Sequence, residues 1–84
     1  MVKPAKLFQL LAQSPSRIVA FRDFERLLDA FGFEHARTVG SHRHYVHPRV
    51  PLVFTVQPDG KEAKRYQVRR LLDIVEEYGL SIEE

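Results

Sequence analysis

Cysteine is absent from this chain of 84 residues. Without a thiol, the protein can form no disulfide scaffold, no thiolate nucleophile and no zinc knuckle. The sequence also lacks any apolar run approaching the roughly 20 residues that a membrane-spanning helix needs. No signal-peptide core follows residues 1–4. From these absences we expect a cytoplasmic protein that does not associate with a membrane.

The composition is typical of an ordinary folded domain, with 44% hydrophobic, 29% charged and 11% aromatic residues. Such a composition argues against disorder and low complexity. A chain of this length has room for one hydrophobic core. We therefore predict a single domain over residues 1–84, in which 1–20 form a helical extension and connector and 21–80 form the core.

The net charge of +2 hides an uneven distribution of charge along the chain. Between His35 and Arg70, eight lysines and arginines face only two acidic residues, a net charge of +6, which leaves −4 for the two ends together. A basic region that also contains the histidines suggests a polyanionic partner, of which nucleic acid is the commonest. The alternative is an ordinary solvated surface rich in lysine and arginine.

Apolar residues recur at helical spacing in three stretches, which predict helices over residues 4–13, 21–31 and 66–78. Gly32 and Gly79 stand where left-handed C-terminal caps are expected for the second and third helices. The second helix carries three phenylalanines on its apolar stripe. Such a stripe is far more often core than a ligand site, so we assign it to the core.

Three strands are predicted between the second and third helices, over residues 33–39, 42–47 and 52–57. Gly40 and Ser41 form the first turn, and residues 48–51, which contain two prolines, form a stiff loop. Short links of this kind favour an antiparallel meander. The predicted fold is therefore α+β in the order α-α-β-β-β-α, with a three-stranded antiparallel sheet and the helices packed on one of its faces.

Three of the four histidines lie within the six residues of the second strand. Alternation divides that strand into two sets of side chains, His42, His44 and Val46 on one face and Arg43, Tyr45 and His47 on the other. Tyr45 is the best candidate for packing beneath the helices. His42 and His44 are then expected on the uncovered face, near Thr55 and Gln57 of the third strand.

Three explanations compete for this histidine cluster. It is an inert pair of surface side chains, or a metal site in which His35 or His47 adds a third ligand, or a centre for proton transfer on RNA. The metal site is disfavoured because the strand contains no acidic ligand and the surrounding positive charge would repel a divalent cation. In the third case, a neutral imidazole accepts the proton of a 2′-hydroxyl or an imidazolium donates one to the 5′-oxygen, and no cofactor is needed.

The basic residues of the middle region have a simpler predicted role as phosphate contacts, which give affinity but read little sequence. Ser41 is expected to fix the turn rather than to act as a nucleophile, because no catalytic triad is visible around it. The residues that we predict to contact RNA are Ser41, Arg43, Lys64, Arg65 and Arg69.

The pattern Gly-Phe-x-x-x-Arg-x-x-Gly-Ser-His-x-x-Tyr-x-His-Pro, from Gly32 to Pro48, resembles the HicA toxins of bacterial type II toxin–antitoxin pairs. The resemblance continues to Lys61-Glu62 and through residues 68–72, and it covers roughly residues 21–80. The glycine-serine-histidine followed by an aromatic residue is its most specific part. Tyr66-Gln67 depart from the family pattern, which commonly has Gly-Thr there.

The resemblance implies a fold like that of double-stranded-RNA-binding domains, used here to cut messenger RNA. Histidine proton transfer of the kind described above would need neither a metal nor a small-molecule cofactor. The resemblance places the catalytic histidine at His42. From the alternation along the second strand, we add His44 as a second candidate. The resemblance also implies a partner antitoxin, HicB, that binds over this site. The rival interpretations are a non-catalytic RNA-binding module of the same fold, an interaction protein whose basic face meets an acidic partner, and a metal-dependent nuclease.

Overall fold

The computed structural model of the chain describes residues 3–82 and confirms the predicted α+β fold and its order of elements. The helices are α1 (Pro4–Gln13), α2 (Phe21–Ala30) and α3 (Arg65–Tyr78). The antiparallel sheet contains β1 (Glu34–Val39), β2 (His42–His47) and β3 (Val50–Val56), in that spatial order. No helix within residues 3–82 is long and apolar enough to cross a membrane.

The third strand begins earlier than the sequence predicted. It starts at Val50, so that only Pro48 and Arg49 form the turn and Pro51 lies within the strand. A proline is tolerated here because β3 is at an edge of the sheet, where a missing N–H group breaks no ladder. The prediction of a stiff loop over residues 48–51 was therefore wrong for Val50 and Pro51, which belong to β3.

The segment before α3 contains a small hairpin that the sequence analysis did not predict. Its strands are β4 (Pro58–Asp59) and β5 (Glu62–Ala63). The connector between α1 and α2 binds to this hairpin, because the Phe21 N–H donates to the Lys61 carbonyl at 2.8 Å and the Ala63 N–H donates to the Val19 carbonyl at 2.8 Å. The hairpin thus ties the first connector to the start of the last helix.

The core lies between the helices and one face of the sheet. The phenylalanine stripe of α2 is buried there, as predicted, and the Phe24 ring meets the Phe54 ring of β3 edge-on with 6.4 Å between centroids. Phe33, just before β1, packs against the same Phe54 ring at 6.0 Å. Tyr45 of β2 is only 4% exposed, so the helices cover the face that contains it.

Helix α1 contributes directly to this core. Leu11 is completely buried and Leu7 is nearly so. The Phe8 ring contacts the ring of Phe31, the residue that follows α2, edge-on with 5.1 Å between centroids. Pro4 begins the helix, a position where its missing N–H group leaves no hydrogen bond unmade. The predicted division into an extension and a core remains a prediction, and the burial of Leu11 suggests how to test it.

We expect Leu11→Ala to lower the free energy of unfolding by about 2–5 kcal/mol, because the substitution removes buried methyl groups and leaves a cavity. Urea unfolding followed by circular dichroism measures this change. Gln9→Ala in the same helix is the matched control, since Gln9 is exposed. A loss of stability well above that of the control, with unfolding still in one transition, would show that α1 belongs to the cooperative unit. A loss of stability as small as that of the control would make α1 a dispensable extension.

Candidate functional site

The uncovered face of the sheet, called here the open face, carries a row of three polar side chains. Arg37 of β1 pairs with His44 of β2, and His44 pairs with Thr55 of β3. His42 lies on the same face at the end of β2, where it pairs with Val39. The predicted placement of both histidines on the uncovered side is therefore confirmed, and the structure adds an arginine beside them.

A bulge in β1 accounts for the position of this arginine. The register shifts between His35 and Arg37, so Ala36 has no partner of its own on β2. Two residues that simple alternation would place together therefore lie on opposite faces. His35 stacks on the Tyr45 ring with 5.2 Å between centroids, whereas Arg37 lies on the open face. Bulges often redirect a side chain in this way near functional sites.

The two histidines of the open face differ in how firmly they are held. The His44 Nδ1 atom lies 2.9 Å from the Thr55 hydroxyl, which orients the half-buried ring and leaves Nε2 for another partner. His42 is exposed and has no side-chain hydrogen bond within the described part of the chain. It follows the Gly40-Ser41 turn, in which Gly40 has φ +61°. Glycine is favoured at the first central position of such a two-residue turn.

Arg43 lies on the covered side of the sheet, away from His42 and His44. Its Nη1 atom donates to the Glu25 carboxylate of α2 at 2.6 Å, and its guanidinium lies 4.8 Å from the centroid of the Phe21 ring. The other Glu25 oxygen accepts a hydrogen bond from the Tyr45 hydroxyl at 2.7 Å. The structure thus does not bring Arg43 together with the histidines, and its role in RNA binding remains a prediction.

Burial and the neighbouring carboxylate both favour the neutral phenol of Tyr45. Burial is the larger cause, followed by the hydrogen bond to Glu25, and together they raise the pKa of Tyr45 well above its ordinary value. The phenol therefore stays protonated as a donor to Glu25 throughout the physiological pH range. This hydrogen bond joins β2 to α2.

His47 has a structural role. Its Nδ1 atom accepts a hydrogen bond from the Arg49 N–H at 3.0 Å, so Nε2 carries the ring proton and donates to the Phe31 carbonyl at 2.9 Å. A Cβ atom at Gly32 would come within 3.1 Å of this Nε2 atom, and the φ of +95° at Gly32 also favours glycine there. His47 thus fastens the end of β2 to the end of α2.

The remaining predicted RNA contacts are spread over the surface. Ser41 is exposed in the turn beside His42, and Lys64 and Arg65 lie at the N-terminal end of α3. Arg69 lines a groove between α3 and α1, away from the sheet, whereas its neighbour Arg70 lines a groove beside β3. Of the five predicted contacts, Ser41 and Arg43 adjoin His42 along the chain, but Arg43 lies on the other side of the sheet. Ser41 is therefore the one predicted contact that lies beside His42 without being engaged by a helix.

Sequence reasoning missed two cations near the histidines: Arg37 belongs to the row of polar side chains, and Arg70 lines the groove that Thr55 also lines. Arg37 was counted only as part of the basic region, because period-two alternation gives no sign of the bulge at Ala36. Arg70 was considered beside Arg69, but the helical period alone did not say which of them lies next to the sheet. Within residues 3–82, no three His, Cys, Asp or Glu side chains are grouped as metal ligands would be.

Comparison with known proteins identifies a family for most of this structure. The family model described as HicA toxin of bacterial toxin-antitoxin matches residues 21–76. The matched segment begins at α2 and contains the whole sheet, whereas α1 lies outside it. Neither the curated proteins nor the solved structures include one that matches the chain.

Tyr45→Phe should lower the free energy of unfolding by about 1–3 kcal/mol at neutral pH, because Glu25 loses a buried donor. The raised pKa of Tyr45 determines how this loss of stability depends on pH. The native phenol holds its proton while the unfolded one ionises near pH ~10, so the contribution is fully present below that pH and is lost as the pH rises above it.

Urea unfolding of both proteins between pH 7 and pH 11 measures this difference. Tyr66 and Tyr78 are present in both, so their ionisation cancels in the comparison. We expect the advantage of the wild-type protein to be constant below pH ~10 and to shrink above it. An advantage that stayed constant up to pH 11 would contradict the assignment.

Proposed function

The chain belongs to the HicA toxin family of bacterial toxin–antitoxin systems, and we propose that it is an endoribonuclease that cleaves messenger RNA in the cytoplasm without a metal ion or cofactor. The observation that carries the proposal is the pair of imidazoles on the open face, of which His44 lies in line with Arg37 and Thr55. Histidine is the side chain used most often for general acid–base catalysis. Together with an arginine, the two imidazoles supply the groups that acid–base cleavage of RNA requires.

Strand geometry supports two different roles for the histidines. His42 and His44 are two residues apart on one face of β2, so their Cα atoms are separated by about 6–7 Å. That spacing lets two rings approach a phosphodiester from different sides. His42 is the catalytic residue of this proposal, and His44 is the second acid–base group.

In the proposed reaction, a neutral imidazole accepts the proton of the 2′-hydroxyl as its oxygen attacks phosphorus. The bond from phosphorus to the 5′-oxygen breaks, and an imidazolium donates a proton to that oxygen. The products are a 2′,3′-cyclic phosphate and a 5′-hydroxyl. Arg37 stabilises the negative charge that develops on the phosphate oxygens.

The other proposed RNA contacts extend the surface beyond this centre. Ser41 lies next to His42 in the turn, while Lys64 and Arg65 bring positive charge to the N-terminal end of α3, where the helix dipole also favours an anion. Arg43 and Arg69 complete the set. Arg43 contacts phosphate only if it leaves the ion pair with Glu25.

A toxin of this kind requires a partner that silences it, and we propose that a HicB-like antitoxin covers the open face. The exposed Val39 side chain lies on that face, opposite His42. The exposed Val53 side chain lies two residues before Thr55, on the same side of β3. A partner that buried them would exclude RNA from His42 and His44. This arrangement makes inhibition a matter of access rather than of a change in the histidines.

A non-catalytic RNA-binding module of the same fold is the second candidate. The observation that favours it is the exposed ring of His42, which lacks an orienting hydrogen bond within residues 3–82. A catalytic histidine is usually positioned by another group. In this alternative, the open face binds RNA and His42 is only one of its contacts.

We expect His42→Ala and His44→Ala each to reduce RNA cleavage, by about 10²–10⁴-fold for a lost acid–base group, while RNA binding changes little. The assay follows labelled messenger RNA and the chemical nature of the new ends, in the presence and absence of a chelator. His35→Gln is the matched control, because His35 lies on the other side of the sheet. Undiminished cutting by the His42 variant would refute the catalytic assignment, and binding without cutting by the wild-type protein would favour the second candidate.

Arg37→Ala should weaken RNA binding and reduce its salt dependence by about one counterion. Arg26→Ala is the matched control, since it removes the same charge from an exposed position on α2. Titration of a labelled RNA at several salt concentrations measures, for each variant, the affinity and its dependence on salt. Equal effects of the two substitutions would mean that only the overall charge matters and that Arg37 is not part of the site.

A further inference from the structure

A groove between β3 and the first turns of α3 lies beside the open face. Val53 and Thr55 line it from the strand, and Tyr66, Gln67 and Arg70 line it from the helix. Its volume of about 320 Å³ is at the lower end of the range found for ligand pockets. The groove combines an exposed aromatic ring, an aliphatic side chain and a positive charge.

Tyr66 is the most unusual residue of this groove. It is 65% exposed, and with Val53 at 54% it accounts for two of the four large hydrophobic side chains that are exposed within residues 3–82. The Lys64 ammonium lies over the ring at 5.9 Å from its centroid. The Gln67 amide donates a long hydrogen bond to the hydroxyl at 3.4 Å. The ring is thus positioned by its neighbours while most of its surface faces solvent.

The groove is continuous with the histidines through one shared residue. Thr55 lines the groove and is also hydrogen-bonded to His44 Nδ1. A strand of RNA whose phosphodiester lies at His44 would therefore bring a neighbouring nucleotide to the groove. From this continuity we infer that the groove binds one unpaired nucleobase of the RNA, stacked on Tyr66, with Arg70 at an adjacent phosphate. The inference rests on the proposed function.

The chemistry of the groove favours a nucleotide over other occupants. A base offers a flat π face to the tyrosine ring, and the phosphate next to it offers negative charge to Arg70. In an RNA duplex, both faces of each base are already stacked, so the groove selects single-stranded RNA. An acidic protein partner would use Arg70 but would not need an aromatic ring at position 66.

The experiment uses the His42→Ala protein, which removes cleavage, and a short single-stranded RNA containing 2-aminopurine, whose fluorescence falls when the base stacks. We expect the protein to quench this fluorescence. Tyr66→Ala and Tyr66→Leu should each abolish the quenching and weaken binding roughly ten-fold or more. Tyr66→Phe should retain both, since stacking needs the ring and not the hydroxyl. Binding of a duplex of the same sequence should not change in any of these variants.

Ile18→Ala is the matched control, because Ile18 is another exposed large side chain, 62% accessible, and does not line the groove. Circular dichroism checks that each variant is folded. If the Ala and Leu variants at Tyr66 bind the RNA and quench its fluorescence as well as the protein that keeps Tyr66, the inference is wrong, even when the wild-type protein cuts RNA through His42. If only the complex with a protein antitoxin is weakened, the groove is a protein contact and the inference is again wrong. A wild-type protein that neither binds nor cuts RNA would overturn the proposed function itself.

Discussion

The burial of Tyr45 against Glu25 is the constraint on which the site depends. In a strand, a shift of one residue moves every side chain to the opposite face. The hydrogen bond from the Tyr45 hydroxyl to Glu25 of α2 fixes which side of β2 meets the helices. His42 and His44 are on the solvent side because Tyr45 is on the other. Arg43 strengthens the same arrangement by pairing with the second oxygen of Glu25.

Much of the fold follows from periodicity in the sequence. Apolar stripes at helical spacing gave α1 and α2 to within one residue, and alternation along β2 placed Tyr45 below the sheet and His44 above it. These predictions succeeded because burial of one face dominates the energy of each element. The hairpin of β4 and β5 escaped prediction because strands of two residues carry no period.

The functional site could be predicted only in part, because contacts between distant parts of the chain leave no periodic pattern in the sequence. Sequence indicates which residues are charged, but the tertiary structure decides what each charge meets. Arg43 meets a carboxylate, and Arg49 donates to the carbonyls of Tyr78 and Gly79 at the C-terminal end of α3. Arg37 reaches the open face only because the chain bulges at Ala36. A count of positive charge could not separate these structural cations from those available to a ligand.

Every one of the six residues of strand β1 is exposed. The strand is held in the sheet by β2 alone. Regions with few buried contacts open at a lower free energy than the rest of a domain. Fraying of β1 would carry Arg37 away while His44 of β2 stayed joined to Thr55 of β3. Arg37 is therefore the least permanently placed of the three side chains in the row. Its position depends on whether the hydrogen bonds between β1 and β2 are formed.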